Sequence, residues 1–293
     1  MADCQHCHRT MVPLFDARDE NRRCPGTFSY ARCDHCGLIS NTTPPADLQP
    51  YYGDGYYAIP SPRALAKLAA RENCKIGAIT RFVKAGRLLE IGPAFGVFAS
   101  RAKLDGFDVT CMERDSRCCD HLSSQVGVQV VQTDDPTQEL PHLPAFDVIA
   151  LWHVLEHLDA PLEFLDAAAA NLAPGGILAL GTPNPASYQF DLMGKAWPHL
   201  DAPRHLHLIP AQLLIDRARS LGLQLRLLES DDADARSWNR FGWQRLIMNR
   251  IPGRIGIAIG LVLGTVLSLA AWPLDTRPMR GSAYTLVLQK QDK

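Results

Sequence analysis

The chain's 293 residues suffice for one large domain and a small module. Hydrophobic residues at 46% and charged residues at 21% exclude a disordered or fibrous chain. A net charge of −1 supplies no global field, which argues against a nucleic-acid partner.

Met1-Ala2-Asp3-Cys4-Gln5-His6 is polar and lacks the apolar core of a secretory leader. Nine cysteines, an odd number, then point to reduced thiols in a cytoplasmic setting, some of them on metal. Cys4-x2-Cys7 and Cys33-x2-Cys36 are two knuckles separated by 25 residues. Each aims two thiolates at one point, and together they complete a tetrahedral zinc site. Residues 1–45 bury little core, so the metal would supply their folding energy. Cys24, His6, His8 and His35 are spare ligands, whereas Cys74, Cys111, Cys118 and Cys119 read as small apolar residues.

Thr43-Pro44-Pro45 ends this module, and residues 46–84 read as a tyrosine-rich linker and a covering helix. The cluster Tyr51-Tyr52-Gly53-Asp54-Gly55-Tyr56-Tyr57 suits a stacking lid, with Tyr56 on the acceptor, or a linker whose rings pack on the surface. Ser61 and Pro62 open a helix over 61–84, with Leu65, Leu68, Ala69, Ile76, Ile79 and Phe82 at roughly helical spacing.

Residues 85–293 alternate apolar runs with helical segments. Leu88-Leu89-Glu90-Ile91-Gly92-Pro93-Ala94-Phe95-Gly96 reads as a strand, a small-residue turn and a helix start. Gly92, Ala94 and Gly96 would let a ligand approach bare backbone. Glu90 would repel pyrophosphate but can accept from an ammonium, so the turn suits S-adenosylmethionine better than a dinucleotide. A second strand ends at Glu113, placed to accept ribose hydroxyls. After a third strand, 128–131, Asp134 could meet the adenine amino group. Phe146 to Trp152 is a fourth, fully buried strand whose last residue borders the same pocket. Leu172 to Gly176 closes a helix, 177–183 is a fifth strand, 223–228 a sixth, and 283–289 the last.

Glu90 to Gly96, Glu113, Phe146-Asp147, Trp152 to Leu158 and Leu172 to Gly176 together resemble the class I S-adenosylmethionine-dependent methyltransferase family. The resemblance spans residues 75 to about 230 and departs at Ala94, where the family more often has glycine. It implies an α/β fold: a Rossmann-like seven-stranded sheet with the zinc-ribbon module at its N-terminus and an apolar helical insertion, 251–275, before the last strand. The ribbon, the Pro-rich step and the tyrosine cluster resemble those of methyltransferases acting on nucleotide-linked sugars and glycan intermediates. A small-molecule or lipid-linked acceptor follows as the expectation.

Methyl transfer to a hydroxyl needs alignment, exclusion of water and a base. Trp152-His153-Val154-Leu155-Glu156-His157 leaves the fourth strand beside the expected sulfonium. His153 and His157 would share a helix face if a helix starts there. His157 is the first candidate base, Glu156 its orienting partner and His153 the second. Beyond the fifth strand, Pro203-Arg204-His205-Leu206-His207 offers Arg204 for a phosphate or carboxylate, and His205 or His207 for the acceptor. Asn184 is a further polar candidate. No acid is well spaced in that second cluster, which argues against a second metal. The Asn- or Asp-Pro-Pro-aromatic run of base-methylating enzymes is missing from the sequence.

Ile255 to Leu274 contains no charged residue over 20 positions, a bilayer's thickness as a helix. Gly256, Gly260 and Gly264 bare one face. Basic flanks on both sides and a strand still to come argue for interfacial or re-entrant contact at the inner face of the membrane rather than a span. Packing on protein, including a homodimer, is the alternative. The rival functions are a cofactor-binding scaffold without chemistry, and a nucleic-acid or protein methyltransferase docking through the ribbon.

Overall fold

The computed structural model describes residues 2–53, 58–251 and 253–291. The N-terminal region forms strands β1 (Val12–Ala17), β2 (Phe28–Arg32) and β3 (Ile39–Asn41). Helices α1 (Gln49–Tyr52), α2 (Pro62–Ala69) and α3 (Asn73–Thr80) follow. The main domain then runs β4 (Gly86–Ile91), α4 (Val97–Leu104), β5 (Phe107–Glu113), α5 (Ser116–His121), β6 (Gln129–Gln132) and α6 (Pro136–Glu139). It continues with β7 (Phe146–Trp152), α7 (Pro161–Asn171), β8 (Leu172–Pro183), α8 (Tyr188–Met193), β9 (His207–Leu208) and α9 (Ala211–Ser220). The last elements are β10 (Leu223–Glu229), α10 (Ala233–Arg250), α11 (Gly253–Asp275) and β11 (Ala283–Lys290).

Seven strands make one sheet in the order β10-β11-β8-β7-β4-β5-β6, with β11 antiparallel to both neighbours. The chain moves outward from β4 in both directions, so the switch point lies between β4 and β7. Alternate residues of each central strand face opposite layers. Leu89, Ile149 and Leu178 pack with Phe164, Leu165 and Leu214 on one side. Leu88, Val148 and Ile177 pack with Ile76, Ile79 and Phe98 on the other. Burial from both sides is why these strands read as unbroken apolar runs.

The expected single helix over 61–84 is two helices, α2 and α3. The apolar stripe through Leu65, Ala69, Ile76 and Ile79 is interrupted at Glu72, whose carboxylate pairs with Lys75 at 3.0 Å. The helical segment 233–250, unread from the sequence, packs along α11 and makes the insertion a two-helix hairpin between β10 and β11.

The N-terminal strands are stitched to the main domain. β9 adds to their sheet through Ile39↔Leu208 and Ser40↔His207. Arg204, fully buried, donates to Asp19 at 2.9 and 2.8 Å and to Asp201 at 2.8 Å, with a further bond to the Tyr51 carbonyl. A guanidinium out of water needs this full set of acceptors. Replacing Asp19 with Ala should lower the unfolding free energy by about 3 kcal/mol in urea titrations, because it leaves a buried cation under-paired. An unchanged midpoint would show that the pair contributes nothing to the frame.

Candidate functional site

The β4–α4 turn carries Gly92 at φ 63°, Ala94 at φ 50° and Gly96 at φ 77°. A Cβ at Gly92 would lie 2.7 Å from Val154 Cγ2, and one at Gly96 would lie 2.5 Å from Leu122 Cδ2. Neighbouring side chains and left-handed backbone therefore require these glycines, beyond any need to admit a ligand. Ala94 accepts its left-handed conformation at a cost of about 1 kcal/mol. Its N–H donates to Glu113 Oε2 at 3.0 Å.

A cleft of about 920 Å³ opens at the carboxyl ends of β4, β5 and β7. Gly92, Ala94, Glu113, Asp134, Trp152, His153 and His157 line it. Its place at the switch point and its size suit a nucleoside cofactor. Glu113 ends β5 and accepts from the backbone N–H groups of Ala94, Arg114 and Asp115. An ionised carboxylate has about four acceptor positions, so capacity remains for a ribose hydroxyl. Asp134 stays exposed 3.5 Å from Arg114, while its neighbour Asp135 is committed to capping α6.

Glu90 sits behind this wall rather than on it. It is 3% exposed, and its Oε2 has no hydrogen-bond partner among the described residues. Burial pushes its carboxyl up to about 8, against the opposing pull of Lys75. Lys75 also lies 5.6 Å from the Trp152 ring centroid, and Trp152 Nε1 likewise lacks a partner.

The expected helix from His153 to His157 does not form. His153 takes φ 57°, and only a 3-10 turn, Leu155–His157, follows. The two histidines consequently share no helix face; they flank Glu156. His153 Nδ1 lies 3.6 Å from Glu156 Oε1, and its Nε2 lies 3.6 Å from Asp234 Oδ2 on α10. Trp238, one turn along α10, packs its ring 4.2 Å from the His153 ring. Burial opposes the charged form of His153, but Asp234 and Glu156 outweigh it and raise the pKa above the ordinary histidine value.

His157 behaves oppositely. Burial and the facing His205 ring bring it down to about 4. Its Nδ1 donates to the Arg204 carbonyl at 2.9 Å and shares the Tyr52 hydroxyl at 3.1 Å. Since a carbonyl only accepts, that contact fixes the tautomer and leaves the Nε2 lone pair free. For Glu156, burial would push the carboxyl up; the nearby His153 imidazole and the other surrounding imidazoles hold it down, at about 2. Its Oε2 accepts from Thr182 Oγ1 at 2.9 Å, and Oε1 is buried without a hydrogen bond. His205 Nε2 lies 3.8 Å from Glu156 Oε1, and its Nδ1 donates to the His199 carbonyl at 2.8 Å. Glu156, His157 and His205 thus bring three ligand atoms within 4.8 Å of one another. The acid that the second histidine cluster lacks in sequence is supplied by the fold.

Three expected acceptor contacts are used internally instead. Arg204 is consumed by Asp19 and Asp201. His207 lies in β9, buried, with Ser40 Oγ at 2.9 Å and the Asp159 carbonyl at 3.2 Å. Asn184 is buried and donates to the Met279 and Gly281 carbonyls, tying the end of β8 to the approach to β11. Arg204 and His207 hold the loop that carries His205, Asn184 holds the end of β8, and none of the three lines the cleft. Tyr56 lies outside the described residues. Tyr52, from the tyrosine cluster, reaches His157, whereas Asp234 and Trp238 are contributors the sequence reading does not include. Asp232, which caps α10 through Ala235 N, was the available signal for the helix that delivers two of them.

At the N-terminus, Cys4 Sγ lies 3.5 Å from Cys36 Sγ, and Cys7 Sγ lies 3.4 Å from Cys33 Sγ. All four sulfurs fall within 4.8 Å of one another. Four thiolates about 2.3 Å from a tetrahedral zinc would be about 3.8 Å apart, so the set fits that ion.

A family model described as a methyltransferase domain matches residues 60–228. Among curated relatives, the ubiquinone biosynthesis O-methyltransferase of Psychrobacter cryohalolentis is 29% identical over 120 residues, covering 38% of this chain and 47% of the relative. The protein of the same name from Bordetella avium is 28% identical over 149 residues, covering 47% and 62%. The chain thus spans about half the length of the curated relatives it matches. The crystal structure of a SAM-dependent methyltransferase from Archaeoglobus fulgidus superposes with a TM-score of 0.51 at 18% identity, covering 77% of this chain and 94% of that one. The shared sheet and the family match over more than half of the sequence lead to one conclusion: the chain belongs to the methyltransferase-domain family, of the class I S-adenosylmethionine-dependent type.

Proposed function

We propose that this chain methylates a small-molecule or lipid-linked acceptor, a sugar or glycan intermediate, on oxygen. The observation that carries the reading is the cleft at the switch point, with Glu113 on one wall and His153 on another. The name of the curated relatives supports oxygen as the atom methylated. S-adenosylmethionine, when bound, supplies an activated methyl group. The chain's part is to align the acceptor, exclude water and remove a proton.

His153 is the better-matched base. A raised pKa makes it a stronger proton acceptor than His157, which burial holds near 4. In this reading the acceptor hydroxyl replaces Asp234 as the neighbour of His153 Nε2 and passes its proton to that nitrogen; Glu156 at Nδ1, with Asp234 nearby, then stabilises the imidazolium. Neutral His157 then acts as a hydrogen-bond acceptor for the substrate through Nε2. This ordering reverses the one drawn from sequence, where His157 stood first.

The four thiolates Cys4, Cys7, Cys33 and Cys36 would hold zinc, contributing folding energy to a segment with a small core of its own. Metal analysis of the purified protein should find zinc at one ion per chain, and Cys33→Ser should release it and unfold β1–β3. Metal-free protein with an unchanged melting transition would remove the zinc assignment.

Titration calorimetry with S-adenosylhomocysteine should detect binding, and Glu113→Ala should weaken it roughly 10- to 100-fold through loss of charge-assisted hydrogen bonds. No binding at about 1 mM ligand would remove the cofactor reading. Binding without turnover across a broad acceptor panel would identify a scaffold.

His153→Ala should lower kcat about a hundred- to ten-thousand-fold while cofactor affinity is retained. Activity should rise with pH as the His153 imidazolium loses its proton. Asp234→Asn removes one stabilising carboxylate, lowers the His153 pKa and moves the acid limb of kcat/KM to lower pH. An acid limb unmoved in that variant would assign the base elsewhere.

A further inference from the structure

α11 exposes a stripe of aliphatic side chains along its whole length. Ile255 is 72% exposed, Val262 70%, Val266 54% and Leu269 65%. With Ile259 these positions fall at i, i+4, i+7, i+11 and i+14, a single helix face. Monomeric proteins rarely leave so continuous an apolar surface in water.

The opposite face is closed on protein. Gly256, Gly260 and Gly264 are buried, and a Cβ at each would strike Ile251 O at 1.5 Å, Met248 Cγ at 2.5 Å or Gln244 Cα at 2.4 Å. α11 therefore rests backbone to backbone on α10, and Gln244 donates to Thr265 at 3.0 Å across the seam. α10 carries Arg236, Arg240, Arg245 and Arg250. Both ends of the hairpin return to adjacent strands of one sheet, β10 and β11. α11 cannot cross a bilayer without drawing those arginines into hydrocarbon, which is costly. It can lie in the interface with its free face down.

Charge selects the occupant. No acid occurs from Ile255 to Leu274. Arg250 and Arg254 are exposed at the hairpin tip, and Arg277 follows the helix at its base. Arg236 lies 4.9 Å from the ring centroid of half-exposed Trp272. Two copies meeting along this face would set arginine-bearing ends against each other in either orientation, and such juxtaposition repels. A surface of anionic headgroups over acyl chains matches both the apolar stripe and its basic ends.

We infer that the exposed face of α11 docks this protein in the interfacial plane of an anionic lipid bilayer, with the arginines at its two ends against the headgroups. α10 also packs Asp234 and Trp238 against His153, which lines the cleft. The docking itself does not rest on the methyltransferase reading.

The test is sedimentation of the full chain with vesicles of phosphatidylcholine alone or with roughly 30% phosphatidylglycerol. Binding should favour the anionic vesicles and weaken as salt is raised. The double variant Val262→Asp and Leu269→Asp, at exposed positions, should lower partitioning about tenfold or more. Arg250→Ala with Arg254→Ala should reduce the anionic preference. Calorimetry with S-adenosylhomocysteine should give wild-type affinity for every variant, which separates a failure to dock from a failure to fold or to bind cofactor. Absence of sedimentation with a monodisperse protein would overturn the inference. So would equal binding to neutral vesicles, or a lipid-free dimer that the aspartate variant splits without any vesicle binding.

Discussion

Glu156 is the carboxylate on which the site depends. It is fully buried just beyond β7, where an unpaired charge would be prohibitive. Thr182 on β8 fixes one oxygen, and imidazoles from two chain segments crowd the other. Its backbone carbonyl also accepts from Leu206 N at 2.8 Å. One residue thereby joins β7, β8 and the loop that carries His205. The same negative charge joins Asp234 in raising the proton affinity of His153. Structural and chemical demands converge on it because a buried charge enforces the geometry of every group that neutralises it.

Two attachments keep that geometry from opposite sides. The N-terminal sheet borrows β9, and Asp19 reaches across to Arg204, so the loop before β9 is clamped. The hairpin approaches from the other edge, where Asp234 and Trp238 hold His153. Neither attachment belongs to the bare Rossmann-like sheet. Both bear on His153 or on the loop that carries His205, while the β4 and β5 ends carry the groups suited to a nucleoside. The sheet thus supplies the switch-point cleft, and the two additions fix side chains along and behind its other wall.

The sheet was legible because its central strands are buried on both faces and its turns carry small residues. The four cysteines were legible by spacing alone, since knuckle geometry is local. What escaped was long-range. Arg204 looked like a ligand for an anion because its partner Asp19 lies 185 residues away. His153 and His157 looked like a helical pair because nothing local announces the left-handed conformation at His153. Asn184 and His207 were polar residues in an expected acceptor region, yet the backbone carbonyls they satisfy come from other segments. α11 stood out by apolarity. α10 did not, because its tryptophans are interspersed with arginines.

A crystal structure of the protein with S-adenosylhomocysteine tests the central claim most directly. The ribose should lie within hydrogen-bond distance of Glu113, with the sulfur turned toward the His153–Glu156–Asp234 group. A nucleoside bound elsewhere, with Glu113 uncontacted, would contradict it.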